Sequence, residues 1–256
     1  MDRLAGMPVT DNVAWDGRLE SFKGRDTPYY VTTAAATAAQ CTFCGRPLRP
    51  GQLLSLSVDI TESTASDGTE YLAFSNYVSH RKCKEPELTV RRAAWRPTAL
   101  TPLAARVILT QEASGPGSPE TIVAALAYTL VPVLTCREAG GELTSVLVSV
   151  LLFHGFELAM SPGYSRILAQ APEVEESCAM TITGTGLVTI TVGEETFYVE
   201  QLNSKNPDDA EWLDAASNGS VLIIAGDNLV ITDTRIDLET AARFGTLVIG
   251  YAPVRF

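Results

Sequence analysis

Residues 41–60 read Cys41-Thr42-Phe43-Cys44-Gly45-Arg46-Pro47-Leu48-Arg49-Pro50-Gly51-Gln52-Leu53-Leu54-Ser55-Leu56-Ser57-Val58-Asp59-Ile60. Residues 71–83 read Tyr71-Leu72-Ala73-Phe74-Ser75-Asn76-Tyr77-Val78-Ser79-His80-Arg81-Lys82-Cys83. Leu54, Leu56, Val58 and Ile60 alternate with Ser55, Ser57 and Asp59, the period of a strand with one buried face. Leu72, Phe74 and Val78 alternate with Ala73, Ser75 and Ser79 in the same way. Asp67-Gly68 is a turn dipeptide between the two runs. The pattern predicts a β-hairpin joining the halves of a C-x2-C…H-x2-C set.

Two thiolates two residues apart can grip one tetrahedral ion from a tight turn, and a second pair completes four ligands. Three sulfurs and one imidazole suit Zn2+, and a closed set leaves no position for water. Cys41, Cys44, His80 and Cys83 are therefore the expected ligands of a structural zinc ion. The competing reading is three ordinary buried cysteines and an unrelated histidine. Cys136 and Cys178 complete a count of five cysteines. An odd number without a visible signal peptide argues against a disulfide framework.

Residues 41–51 resemble the opening knuckle of treble-clef and zinc-ribbon fingers. The resemblance covers roughly residues 41–83. It implies Cys41, Cys44, His80 and Cys83 as ligands, a knuckle leading into a hairpin, and a last ligand pair on a helix start or second knuckle. The sequence departs from the pattern twice. Thirty-five residues separate the pairs, against roughly 15–20 in a ribbon. Pro86, soon after Cys83, leaves little room for the helix of a treble clef. The resemblance speaks for metal and not for one function, since such fingers bind DNA, RNA, proteins or nothing.

Apolar residues make up 46% of the 256 and charged residues 19%, the balance of a globular protein. Disordered, collagen-like and disulfide-dense chains are excluded. The formal charge is -11. Residues 98–256 hold seven basic and nineteen acidic side chains, while residues 41–97 hold eight basic and six acidic. The long acidic part should repel phosphate backbones. Any nucleic-acid contact must come from the middle segment, where Arg81, Lys82, Lys84, Arg91, Arg92 and Arg96 lie near Trp95. Cations beside an aromatic can pair with phosphates and stack a base; a solvated surface segment is the alternative. No segment offers the about 20 apolar residues a bilayer crossing needs. No membrane association and a cytoplasmic location are expected.

The fold class expected is α+β (mixed α/β): a small zinc-stapled hairpin module over 1–100, then an acidic mixed sheet with packed helices over 101–256. The small-residue stretch 32–39 fits a short helix or a linker. The segment 111–119, QEASGPGSP, is the clearest break. Ser118-Pro119-Glu120 reads as a helix start, the helix running to about Leu130, with a strand over 133–135. A helix is expected over 142–154, with Leu143, Val146, Leu147, Val150 and Leu151 on one stripe, although its β-branched content also suits a strand. Strands are expected over 179–192, 196–202, 221–225, 229–232 and 246–251. Asn206-Pro207 starts a helix ending by Gly219, and a short helix over 237–244 stops at Gly245.

Signals for catalysis are weak. His154 fits a helix end better than a general base. Glu138 and Glu142 would repel an anion from the turn at Gly140-Gly141. Cys136 and Cys178 lack activating sequence neighbours. Thr183-Gly184-Thr185-Gly186 lacks the third glycine of a dinucleotide fingerprint. Three classes stay open: a non-enzymatic zinc-containing binding or regulatory protein with a protein partner, which leads; a nucleic-acid-associated factor using the finger and residues 81–96; and an enzyme with an unrecognised site in the C-terminal part.

Overall fold

The computed structural model describes residues 8–64, 70–93, 100–111, 121–137, 143–174, 177–232 and 235–256. The fold is mixed α/β. It divides into two compact units, residues 1–99 with 132–143, and residues 100–131 with 144–256. Residues 132–143 thus fall in the first unit, beyond the boundary expected near residue 100. The Asp67-Gly68 turn, Trp95, Arg96, the Ser118-Pro119-Glu120 signal and the 138–142 turn lie outside the described residues.

The first unit opens with β1 (Val9–Thr10), β2 (Val13–Ala14), α1 (Glu20–Lys23) and α2 (Thr27–Thr37), so the small-residue stretch is largely helical. The predicted hairpin follows as β3 (Leu54–Thr64) and β4 (Glu70–His80), paired antiparallel from Leu54↔His80 to Thr64↔Glu70. Two eleven-residue strands account for the long spacing between the ligand pairs. Leu54, Leu56, Val58 and Ile60 pack with Leu72, Phe74 and Val78 against Val31 and Ala34 of α2 and against Trp15 and Leu19. The period-two alternation therefore aims one face of the hairpin at a helix. β5 (Glu87–Arg92) adds to β3 in parallel.

The chain then enters the second unit through β6 (Thr101–Gln111) and β7 (Thr121–Val131), which pair antiparallel. The helix expected up to Leu130 is a strand. Ala124, Leu126 and Tyr128 face one core, while Val123 and Ala125 face another. A strand buried on both faces shows no polar phase, so its apolar run looks the same as that of a buried helix. Pro102 sits in the edge strand β6, where a missing N–H costs no ladder bond. β8 (Val133–Arg137) returns to the first unit and pairs with β4 from Phe74↔Val133 to Glu70↔Arg137.

β9 (Leu143–Ser145) leads into α3 (Val146–Phe153), capped by Ser145, whose hydroxyl accepts from Val148 N–H. The expected helix is therefore shorter at its start, where three residues are extended. β10 (Glu157–Leu158), α4 (Tyr164–Gln170), β11 (Cys178–Ile182), β12 (Leu187–Val192), β13 (Glu195–Gln201) and α5 (Pro207–Ala216) follow. β14 (Ser220–Gly226), β15 (Val230–Thr232), β16 (Arg235–Asp237), α6 (Glu239–Phe244) and β17 (Leu247–Arg255) complete the chain. The single run read over 179–192 is two strands joined by the Thr183–Gly186 turn. Gly186 has φ +84 there, and a Cβ would lie 2.6 Å from the Leu202 carbonyl oxygen. The main sheet runs β13-β12-β11-β17-β14-β7-β6. Helices α3 and α5 cover one face through Leu147, Leu151, Trp212 and Ala216. Helices α4 and α6 cover the other through Ile167, Leu168, Ala241 and Ala242. Parallel pairing of β7 with β14 and of β11 with β17 makes the sheet mixed. No helix among the described residues is long and apolar enough to cross a membrane.

Candidate metal centre

The first knuckle is built by its own backbone. Cys41 N–H donates to the Arg46 carbonyl (2.9 Å), and Gly45 N–H donates to the Cys41 carbonyl (2.8 Å). Gly45 takes φ +69, a left-handed turn conformation that favours glycine. Thr42 N–H donates to the Val78 carbonyl (3.0 Å), which fastens the knuckle to the end of β4. The second knuckle turns directly off that strand, with Cys83 N–H and Lys84 N–H both donating to the His80 carbonyl. No helix follows Cys83; β5 does. The second pair thus sits on a turn, as the resemblance to a ribbon implied and as Pro86 anticipated.

These two turns bring one ligand atom from each of Cys41, Cys44, His80 and Cys83 within 4.8 Å of one another. His80 Nδ1 lies 3.5 Å from Cys44 Sγ and 3.8 Å from Cys83 Sγ. A tetrahedral ion with bonds of about 2.3 Å to sulfur and about 2.05 Å to nitrogen requires a sulfur–nitrogen separation of about 3.5–3.6 Å. The Cys44–His80 separation matches that value and the Cys83–His80 separation slightly exceeds it.

Electrostatics fit thiolate as well. Burial raises the proton affinity of Cys41, but backbone N–H groups of Cys44, His80 and Phe43 aimed at its sulfur outweigh this and bring the thiol down to about 5. His80 N–H lies 3.4 Å from that sulfur. Cys83 moves the other way, through burial and then through the neighbouring Cys44 and Cys41 sulfurs. Thiolates crowded in this way repel one another unless a cation sits among them.

One participant escaped the sequence reading. Gln52 Oε1 lies 3.1 Å from His80 Nε2. The same oxygen accepts from Arg49 backbone N–H at 3.0 Å, so the amide orientation is set by a donor with no alternative. His80 Nε2 must then carry the proton, leaving Nδ1 bare toward the sulfurs. This is the outer partner that a ligating imidazole requires. The hairpin register sets Leu54 opposite His80 and so brings Gln52, two residues earlier, within reach of the imidazole.

Of the tentative nucleic-acid residues, four pair with carboxylates. Arg81 pairs with Glu85 (2.6 Å), Lys84 with Glu87 (3.3 Å), Arg91 with Asp59 (2.8 Å) and Arg92 with Glu62 (3.4 Å). Parallel pairing of β5 on β3 brings the last two arginines beside the acids. Lys82 is exposed and has no carboxylate partner among the described residues. His154 caps the end of α3, with Nδ1 2.8 Å from Ser177 Oγ. Cys178 is fully buried and burial pushes its thiol up to about 11, so it behaves as a small apolar residue. Cys136 is half-buried opposite Tyr71.

No protein-family model, curated protein or solved structure matches the chain.

Proposed function

We propose that this is a non-enzymatic zinc-containing binding protein in which Cys41, Cys44, His80 and Cys83 hold one structural Zn2+. The observation that supports it is the convergence of four ligand atoms within 4.8 Å of one another, with the histidine tautomer fixed by Gln52. Three thiolates and one imidazole fill four positions, and a filled tetrahedral shell acts as a cross-link rather than as a Lewis acid. The ion would tie the segment after α2 to the end of β4, closing the first unit at the end of its hairpin. On this reading the acidic second unit is the half that meets a protein partner.

The test is metal analysis and thermal unfolding of the full chain. One zinc per chain is expected, lost in Cys41→Ser and in Cys83→Ser, with a lower unfolding midpoint in both because binding and folding are linked. Unchanged metal content or unchanged melting in those variants overturns the reading.

A further inference from the structure

The metal knuckles carry three cations that the structural role leaves unused. Residues 27–58 contain no Asp or Glu, in a chain carrying 30 acids. Arg46 and Arg49 are exposed in that window, and Lys82 is exposed in the second knuckle. None of the three has a carboxylate partner among the described residues, unlike Arg81, Lys84, Arg91 and Arg92. All three border one open cleft of about 440 Å3 over the metal centre, lined also by Cys44, His80, Cys83 and Gln52 and by no carboxylate; with the ion bound, three thiolates are offset by Zn2+ to a net charge of about -1, against the three cations. Their backbones are fixed by the turns that carry the ligands. Arg46 supplies the carbonyl that Cys41 N–H bonds, Arg49 N–H donates to Gln52, and Lys82 lies between two ligands. Phe43, at the tip of the first knuckle, is 69% exposed.

We infer that this face binds single-stranded nucleic acid, with phosphates on Arg46, Arg49 and Lys82 and a base stacked on Phe43, which stands next to Cys44 of the lining but outside the cleft itself. Fixed cations around a cleft attract a polyanion, and an exposed ring supplies the sequence-tolerant stacking platform of single-strand binders. The acidic remainder of the chain disfavours binding elsewhere, so the strand is directed to this face. The inference rests on the metal reading only in that the ion holds the two knuckles together.

The experiment uses the full metal-loaded chain and a labelled oligothymidylate of about twelve nucleotides, followed by anisotropy from about 50 to 200 mM salt. Binding should weaken steeply with salt. Arg46→Glu/Arg49→Glu/Lys82→Glu should abolish it, and Phe43→Ala should weaken it about ten-fold. Neutralising the three cations with glutamine should reduce the salt slope by about 2. Lys84→Glu and Arg91→Glu, which alter cations already paired, should leave affinity within about two-fold. Each variant is checked for one bound zinc. A chain without metal overturns the proposed function. A metal-loaded chain that ignores the oligonucleotide, or binds it equally after the triple reversal, overturns only this inference. Heparin binding as tight as that of DNA, with no loss on Phe43→Ala, replaces it with a general polyanion face.

Discussion

Replacing Gln52 by leucine should weaken zinc binding about ten-fold while leaving the first unit folded when metal is in excess. The reasoning runs through one proton. Arg49 N–H fixes the amide oxygen, that oxygen receives His80 Nε2–H, and the bare Nδ1 faces Cys44 and Cys83 at 3.5 and 3.8 Å. Leucine keeps the bulk and removes the acceptor. The imidazole then loses its orientation and its preferred tautomer. Loss of such an outer partner costs about 10–100-fold in metal affinity, or about 1.4–2.8 kcal/mol. Gln52 is only half-buried, so water replaces part of the acceptor and the lower end applies. Competition with a chromogenic chelator at neutral pH measures the constant. Gln52→Glu retains an oxygen at the same place and should bind within about three-fold of the parent. A leucine variant holding zinc as tightly as the parent would refute the tautomer argument.

Cys136→Ser should leave zinc content unchanged, measured by metal analysis, because Cys136 lies on β8 opposite Tyr71 and outside the ligand cluster. Asp209→Asn should destabilise the second unit by about 2 kcal/mol in denaturant unfolding, since Asp209 accepts from Asn203 N–H (2.8 Å) and pairs with Arg106 (2.8 Å). The Asn203 N–H, with Arg106 adding to it against the opposing effect of burial, holds that carboxyl below its ordinary value. Its stabilisation is therefore complete above the unfolded carboxyl range near about pH 4 and is lost as pH falls through the lower folded value. The difference between parent and Asp209→Asn should shrink in that window and be flat from there to neutrality. Gly226→Ala should cost about 2–3 kcal/mol, because a Cβ there would lie 2.4 Å from the Thr246 carbonyl oxygen; an unchanged melting temperature would contradict that packing.

The ligand set was readable because its chemistry is local: two turns, each carrying its pair two residues apart, around strands whose alternation survives in Leu54–Ile60. The helices at 207–216 and 239–244 were readable from their ends, an Asn206 cap and a left-handed Gly245. β7 was not, because burial on both faces erased the phase that separates strand from helix. Gln52 was hidden for a different reason. Its partner is 28 residues away, and only strand register brings them together. The ion pairs of Arg91 and Arg92 were hidden in the same way, since Asp59 and Glu62 stand on β3, far off in sequence.

Pro132 stands alone between Val131, the last residue of a strand in the second unit's sheet, and Val133, the first of a strand in the other. The chain therefore leaves its first unit unfinished, lays down two strands elsewhere, and comes back. During synthesis the β4 edge stays open until residue 137 has emerged, and unpaired edges are where nascent chains stick to one another. The same threading governs how the gene can be shuffled. A single crossover near codon 100 would deliver one product lacking β8 and another carrying it as an orphan, so neither half travels as a cassette.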